Sequence, residues 1–104
     1  MTKVAFDPLA EAELGEAVAY YDGISSELGD ALLEETDRVV EQLLEFPLSV
    51  PVWREDLRRR PLFRFPYALV YRIDGELIYV VAVLHQARGP NHIARRVSDY
   101  LKSR

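Results

Sequence analysis

The chain lacks cysteine altogether and contains two histidines, His85 and His92. Without cysteine it forms no disulfide bond and has no thiolate nucleophile. Two histidines seven positions apart do not make a zinc site alone, and the five glycines are too scattered to form a loop that cradles phosphate. We therefore expect neither a metal ion nor an organic cofactor.

Long apolar runs are also missing. The longest, Leu77–Leu84, has eight residues, whereas a membrane-spanning helix needs about 20. The first residues contain no apolar stretch of signal-peptide length. With 104 residues, 49% of them hydrophobic, we expect a single domain over residues 1–104 without a membrane span.

Lysine is scarce, at two residues, and charge is distributed unevenly. Residues 1–50 carry twelve acids and two bases, a net charge of −10, whereas residues 51–104 carry eleven bases and five acids, a net charge of +6. The overall net charge of −4 and the pI of about 5.1 disfavour non-specific nucleic-acid binding. The basic half is either a solvated surface or a contact surface for a polyanion or an acidic protein.

Two amphipathic helices are predicted in the acidic half, because apolar residues recur there at spacings of three and four. Asp7, followed by proline, is typical of a helix start, and we expect this helix to end near Gly23. Ser25 and Ser26 offer the next N-cap, and the second helix should end near Phe46, before a proline. The acids of the second helix are expected mostly between its apolar positions: Glu34, Glu35, Asp37, Glu41 and Glu45.

Beyond residue 57 the apolar period changes to two, which predicts a sheet. The predicted strands are Val4–Phe6, Leu62–Phe65, Ala68–Ile73 and Leu77–Leu84. Asp74 and Gly75 predict a type I′ hairpin turn, and a short basic helix is predicted after Asn91. Trp53 is expected to cover the core below the second helix. The fold class is therefore α+β: a strand, an antiparallel helical hairpin, a three-stranded antiparallel meander and a short C-terminal helix.

Arginines and one histidine concentrate at one end of the predicted meander. Arg64 closes a strand, and His85 and Arg88 follow the last strand, so we expect these three side chains to approach one another. Strand alternation places Arg59 and Arg60 on opposite faces, with Arg60 and Arg64 sharing one face. Arg59 and Arg60 either bind a partner or guard a sheet edge against wrong pairing.

Several segments together carry a family resemblance. They are Phe6-Asp7-Pro8-Leu9-Ala10, Ala19-Tyr20-Tyr21, Leu28-Gly29, Arg59–Tyr67, Leu69–Gly75 and Val81–Arg88. In this order, over about residues 4–90, they resemble the RelE/ParE superfamily of toxins from bacterial toxin–antitoxin pairs. The resemblance implies a cytoplasmic toxin that forms a hetero-oligomer with a cognate antitoxin and reaches operator DNA only through that antitoxin.

The resemblance implies two alternative targets. The ParE branch inhibits DNA gyrase, whereas the RelE branch cuts messenger RNA in the ribosome. RelE-branch nucleases are usually basic and lysine-rich, and often carry a His-Tyr pair where this chain has His85 followed by Gln86. We therefore favour the ParE-like branch. A third possibility is a non-toxic binding module that only joins a repressor complex.

If the chain is an enzyme, the resemblance makes it a metal-independent mRNA endoribonuclease. Such cleavage needs a general acid or base and a group that stabilises phosphorane charge. His85 suits the first role, since an imidazole can both accept and donate a proton, and Arg64 and Arg88 suit the second. Arg59 and Arg60 are the candidate binding residues.

Overall fold

The computed structural model describes residues 2–104. Its elements are β1 (Lys3–Phe6), α1 (Pro8–Ile24), α2 (Ser26–Glu45), β2 (Val52–Arg54), β3 (Leu57–Pro61), β4 (Tyr67–Asp74), β5 (Leu77–His85), a 3-10 turn (Gln86–Arg88) and α3 (Pro90–Ser103). The predicted α+β class and the order of a strand, a helical hairpin, a meander and a C-terminal helix are confirmed. No helix within residues 2–104 is long and apolar enough to cross a membrane.

Asp7 and Ser25 begin the two long helices, as their side chains predict. Each side chain accepts a hydrogen bond from the backbone N–H two residues ahead, at 3.0 Å and 3.2 Å respectively. Ser25 also ends α1, because its N–H donates to the Tyr21 carbonyl at 2.9 Å. One residue therefore joins the two helices, and α1 runs to Ile24, slightly past the predicted end at Gly23.

The five strands lie in the order β1-β5-β4-β3-β2, with β1 parallel to β5 and the other pairs antiparallel. The β1 pairing stops at Phe6, opposite Val80, and the Asp7 N–H donates to the Val80 carbonyl at 2.8 Å. The chain then leaves the sheet to begin α1. Consequently the second half of β5, from Val81 to His85, lacks a neighbouring described strand on that side.

Both faces of the sheet are buried, as the continuous apolar run of β5 predicts. The helical hairpin covers one face, where Leu69, Tyr71, Val80 and Val83 join its core. The other face packs against α3 through Val70, Val81, Leu84, Val97 and Tyr100. The two helical layers therefore enclose the meander between them.

The predicted strand Leu62–Phe65 is wrong, because β3 lies earlier, at Leu57–Pro61. Residues 62–66 instead form a loop, closed by a 2.8 Å hydrogen bond from the Leu62 N–H to the Tyr67 carbonyl. The three arginines at residues 58–60, which were expected to precede the predicted residues on the same strand, form the centre of β3, so the strand was anticipated but placed too late.

The edge strand β2 was not predicted, because three residues are too few to show a period. The expected position of Trp53 is also wrong. Its ring packs against the α3-side core, which contains Leu57 and Val97, and not below α2. The pairing of β2 with β3 shifts register between Val52 and Arg54, so Trp53 lies at an irregularity of the strand that simple alternation does not describe.

The hairpin between β4 and β5 is confirmed, but its turn differs from the predicted type. Asp74 pairs with Leu77, so the two turn residues are Gly75 and Glu76. Gly75 has a φ of 60°, and no positive φ occurs at Glu76. Positive φ at the first turn position only is the pattern of a type II′ turn, not of type I′.

Candidate functional site

A cavity of about 530 Å³ opens where β5 lacks a neighbouring strand. We call it the α1–α3 cleft, because these helices face each other across it. Its walls are Glu13, Glu16, Ala17, Tyr20, Tyr21, Tyr67, Val83, Leu84, His85, Ala87, Arg88, His92 and Arg96. Two of the three predicted catalytic residues, His85 and Arg88, therefore lie in one cleft.

An ion pair occupies the open edge of β5 within this cleft. The Glu13 carboxylate on α1 accepts from the Val83 N–H at 3.1 Å and from the Arg96 guanidinium at 3.0 Å and 3.1 Å. Arg96, on α3, also donates to the Val81 carbonyl at 2.8 Å. The pair thus supplies the backbone hydrogen bonds that a further strand would otherwise make. It joins α1, β5 and α3 at one point.

Tyrosine rings form the apolar wall of the cleft. The Tyr21 ring lies edge-on to those of Tyr20 and Tyr67, with centroids 5.1 Å and 6.4 Å away. Burial raises the pKa of Tyr21 and of Tyr67; the charge of Arg88 acts against the shift at Tyr67. Both hydroxyls are therefore protonated at neutral pH and available as donors.

His85 ends β5 and holds the turn that follows it. Its Nδ1 accepts a hydrogen bond from the Ala87 N–H at 3.1 Å, so in the neutral ring the proton lies on Nε2. The ring also lies edge-on to Tyr67, with centroids 4.9 Å apart. These contacts give His85 a structural role as the cap of the 3-10 turn.

Arg64 lies in a different place from the one the sequence predicts. It lines a separate recess of about 200 Å³ beside α2, together with Arg60, and not the α1–α3 cleft of His85 and Arg88. The reason is the loop at residues 62–66, which bends toward α2 where a straight strand was expected. The expected approach of Arg64 to the other two residues is therefore wrong. Arg60 and Arg64 line the same recess, although Arg64 lies in the loop and not on the strand from which the shared face was predicted.

Arg59 and Arg60 point to opposite faces, as alternation predicts. Arg59 donates to the Gln86 side chain, and its guanidinium lies 5.7 Å from the Trp53 ring centroid on the α3 side. Arg60 donates to the Gln42 side chain on α2 at 3.0 Å. The two candidate binding residues therefore belong to different surfaces.

Two acids that matter for these surfaces were missed. Glu35, expected between apolar positions, is buried, at 4% exposure, and its carboxylate accepts from the backbone N–H groups of Phe63 and Arg64. Helical spacing contained the signal, since Glu35 lies three residues after Leu32 and four before Val39, both core residues. Glu13 had no such signal, because its partners lie in distant parts of the chain.

The α1–α3 cleft offers protonated tyrosine hydroxyls, two imidazoles, two arginines and two carboxylates, with Arg96 paired to Glu13, a set suited to polar groups. Within residues 2–104, no group of three or more histidine, aspartate or glutamate side chains is arranged to hold a metal ion.

Comparisons with known proteins identify a family and, separately, a similar fold. Residues 4–90 match the family model for the ParE toxin of the type II toxin–antitoxin system, parDE. A solved structure described as the chromosomal ParDE toxin–antitoxin system from P. aeruginosa has a similar fold, with a TM-score of 0.60 and 19% identity. The likeness covers 82% of this chain and 96% of that one. No curated protein sequence matches significantly.

Proposed function

The chain belongs to the ParE toxin family of type II toxin–antitoxin systems, and we propose that it inhibits DNA gyrase and is neutralised by a cognate antitoxin. The family match over residues 4–90 is the observation that carries this proposal. The toxin would act in the cytoplasm and would reach operator DNA only through the antitoxin.

The separation of the candidate catalytic residues supports gyrase inhibition over RNA cleavage. Arg64 lies in the recess beside α2, whereas His85 and Arg88 lie in the α1–α3 cleft. The net charge of −4 and the two lysines also disfavour a surface that must hold RNA through its phosphates. Docking onto a protein needs only a few anchoring side chains.

Antitoxin binding is supported by apolar side chains that stay exposed on the helical hairpin: Leu9, Tyr20, Ile24 and Leu33. A flexible antitoxin segment that folds on contact could bury them. We expect the two chains to copurify as a hetero-oligomer. Isolation of this chain alone, in a harmless form and from cells that also make the neighbouring gene product, would count against the partnership.

The decisive experiment measures supercoiling of relaxed plasmid by purified gyrase with increasing amounts of this protein. We expect inhibition, and its relief by a stoichiometric amount of antitoxin. Messenger RNA from induced cells, mapped by primer extension, should stay uncut. Codon-phased cuts with unaffected supercoiling would contradict the proposal and favour ribosome-dependent RNA cleavage.

RNA cleavage is the second candidate, because His85 and Arg88 line one cleft. Under that alternative, His85→Ala and Arg88→Ala should each lower cleavage by roughly 10²-fold or more, as expected for an acid–base group and a charge-stabilising group. Under gyrase inhibition, His85→Ala should change growth arrest only modestly. Circular dichroism of each variant would show that its fold is retained.

A further inference from the structure

Phe63 is displayed to solvent at the tip of residues 62–66, which we call the Phe63 loop. Its side chain is 96% exposed, more than any other large apolar side chain among residues 2–104. The neighbours Leu62 and Phe65 are both buried, at 6% exposure each. The loop thus anchors itself by two apolar side chains while a third projects outward.

Hydrogen bonds hold this loop in one conformation. The buried Glu35 carboxylate accepts from the backbone N–H groups of Phe63 and Arg64. The Leu62 N–H donates to the Tyr67 carbonyl, and the Tyr67 N–H donates to the Phe65 carbonyl, each at 2.8 Å. Ordering Phe63 for binding therefore costs little further backbone entropy, which is the advantage of a preorganised contact residue.

Positive charge surrounds the exposed ring. Arg38, Arg60 and Arg64, which we call the arginine rim, line the recess next to Phe63. Within residues 2–104, none of the three forms a salt bridge. The Glu35 carboxylate in the same recess is occupied by the loop's own N–H groups. The recess therefore holds three arginines against the one carboxylate of Glu35, an excess of positive charge in a protein whose net charge is −4.

Building on the proposed function, we propose that the Phe63 loop and its arginine rim dock onto an acidic surface of the folded target protein that offers an apolar pocket. A projecting rigid ring needs a preformed pocket, which a flexible antitoxin segment does not have. The apolar side chains exposed on the helical hairpin suit such a segment better. The charge of the rim selects an acidic partner and speeds its encounter. Target and antitoxin thus contact different parts of the toxin.

The test compares Phe63→Ala with Phe46→Ala, a matched control because Phe46 is also exposed, at 59%, but lies outside the loop and rim. Two quantities are measured for each: the concentration that half-inhibits gyrase supercoiling and the dissociation constant for the antitoxin. Phe63→Ala should raise the half-inhibiting concentration at least about 30-fold, as for a hot-spot aromatic. It should change the dissociation constant for the antitoxin less than about twofold. Phe46→Ala should leave the half-inhibiting concentration for gyrase supercoiling unchanged.

Arg64→Glu tests the charge of the rim separately, since the Arg64 contact to Glu35 is made by its backbone. It should weaken inhibition about tenfold, and more strongly at low salt. Equal inhibition by Phe63→Ala and wild type would overturn the inference. So would an equal loss of antitoxin binding, because that would make the antitoxin the occupant of the loop.

Gyrase inhibition by the wild-type protein tests the proposed function independently of the loop variants. If the wild type leaves gyrase active, gyrase is not the target, and growth arrest in induced cells then tests the loop. Arrest lost with Phe63→Ala and kept with Phe46→Ala would support docking onto another folded target. Arrest kept with Phe63→Ala would overturn the inference, and a harmless wild type would overturn both proposals.

Discussion

The α1–α3 cleft and the Phe63 loop lie on one small domain but differ in whether their arginines form salt bridges. In the cleft, the Glu13 carboxylate and the Arg96 guanidinium neutralise each other and satisfy the open edge of β5. In the loop, the Glu35 carboxylate accepts hydrogen bonds from backbone N–H groups, and the arginines of the rim form no salt bridge among residues 2–104. The charged groups of the cleft therefore hold elements of the fold together, whereas those of the arginine rim remain available for the contact proposed above.

The largest expected effect comes from Glu35→Ala, which removes the carboxylate that holds the Phe63 loop. Its removal leaves the N–H groups of Phe63 and Arg64 without their acceptor beneath the loop. We expect the free energy of unfolding to fall by about 3 kcal/mol, the sum expected for two charge-assisted hydrogen bonds. Urea denaturation measures this change. Glu34→Ala, at the exposed neighbouring position, is the control and should change stability by less than about 0.5 kcal/mol.

The next largest effect is expected for Glu13→Ala, which removes the ion pair in the α1–α3 cleft. It leaves the Val83 N–H unsatisfied and the partly buried Arg96 charge unpaired. The expected loss in unfolding free energy is about 2 kcal/mol, less than for a fully buried ion pair because both side chains keep some solvent contact. Glu16→Ala, in the same cleft but exposed, is the control. Equal stability of the two variants would contradict the proposed cohesive role.

A smaller effect concerns Tyr67, a partly buried residue of the tyrosine wall of the cleft. Since burial raises the pKa of Tyr67 in the folded chain, its contribution to stability is present below the unfolded pKa of about 10 and is lost as pH rises through the higher folded pKa. Tyr67→Phe should therefore reduce the loss of stability between about pH 10 and 12, by less than about 1 kcal/mol. Chemical denaturation at several alkaline pH values measures it; parallel pH profiles for the two proteins would refute the prediction.

The smallest effect is expected at the exposed ion pair of Arg104 and Asp56, a counterpart to the pair in the cleft. The hydrogen bond from Arg104 lowers the pKa of Asp56. The stability that it adds is therefore present above the usual aspartate pKa of about 4 and disappears as pH falls through the lower folded pKa. Asp56→Asn should cost well under about 1 kcal/mol at pH 7, because solvent screens the pair. A loss in unfolding free energy as large as that of Glu13→Ala would contradict the expectation that the exposed pair stabilises the fold less than the pair in the cleft.

Local chemistry in the sequence determined much of the fold. Asp7 and Ser25 start their helices through their own side chains, and the glycine at position 75 supplies the positive φ of the β4–β5 hairpin. The apolar run of β5 predicted a strand buried on both faces. Each of these signals depends on residues close together along the chain, so a single sequence contains it in full.

The positions of the functional candidates depended on tertiary structure. Arg64 was expected beside His85, but the Glu35 carboxylate, 29 residues away in sequence, holds the loop that carries Arg64 toward α2. The pair of Glu13 and Arg96, 83 residues apart, exists only because β1 ends early and exposes the edge of β5. Long-range contacts between polar groups follow no period in the sequence, so only the packing of the helices on the sheet decides which of them meet.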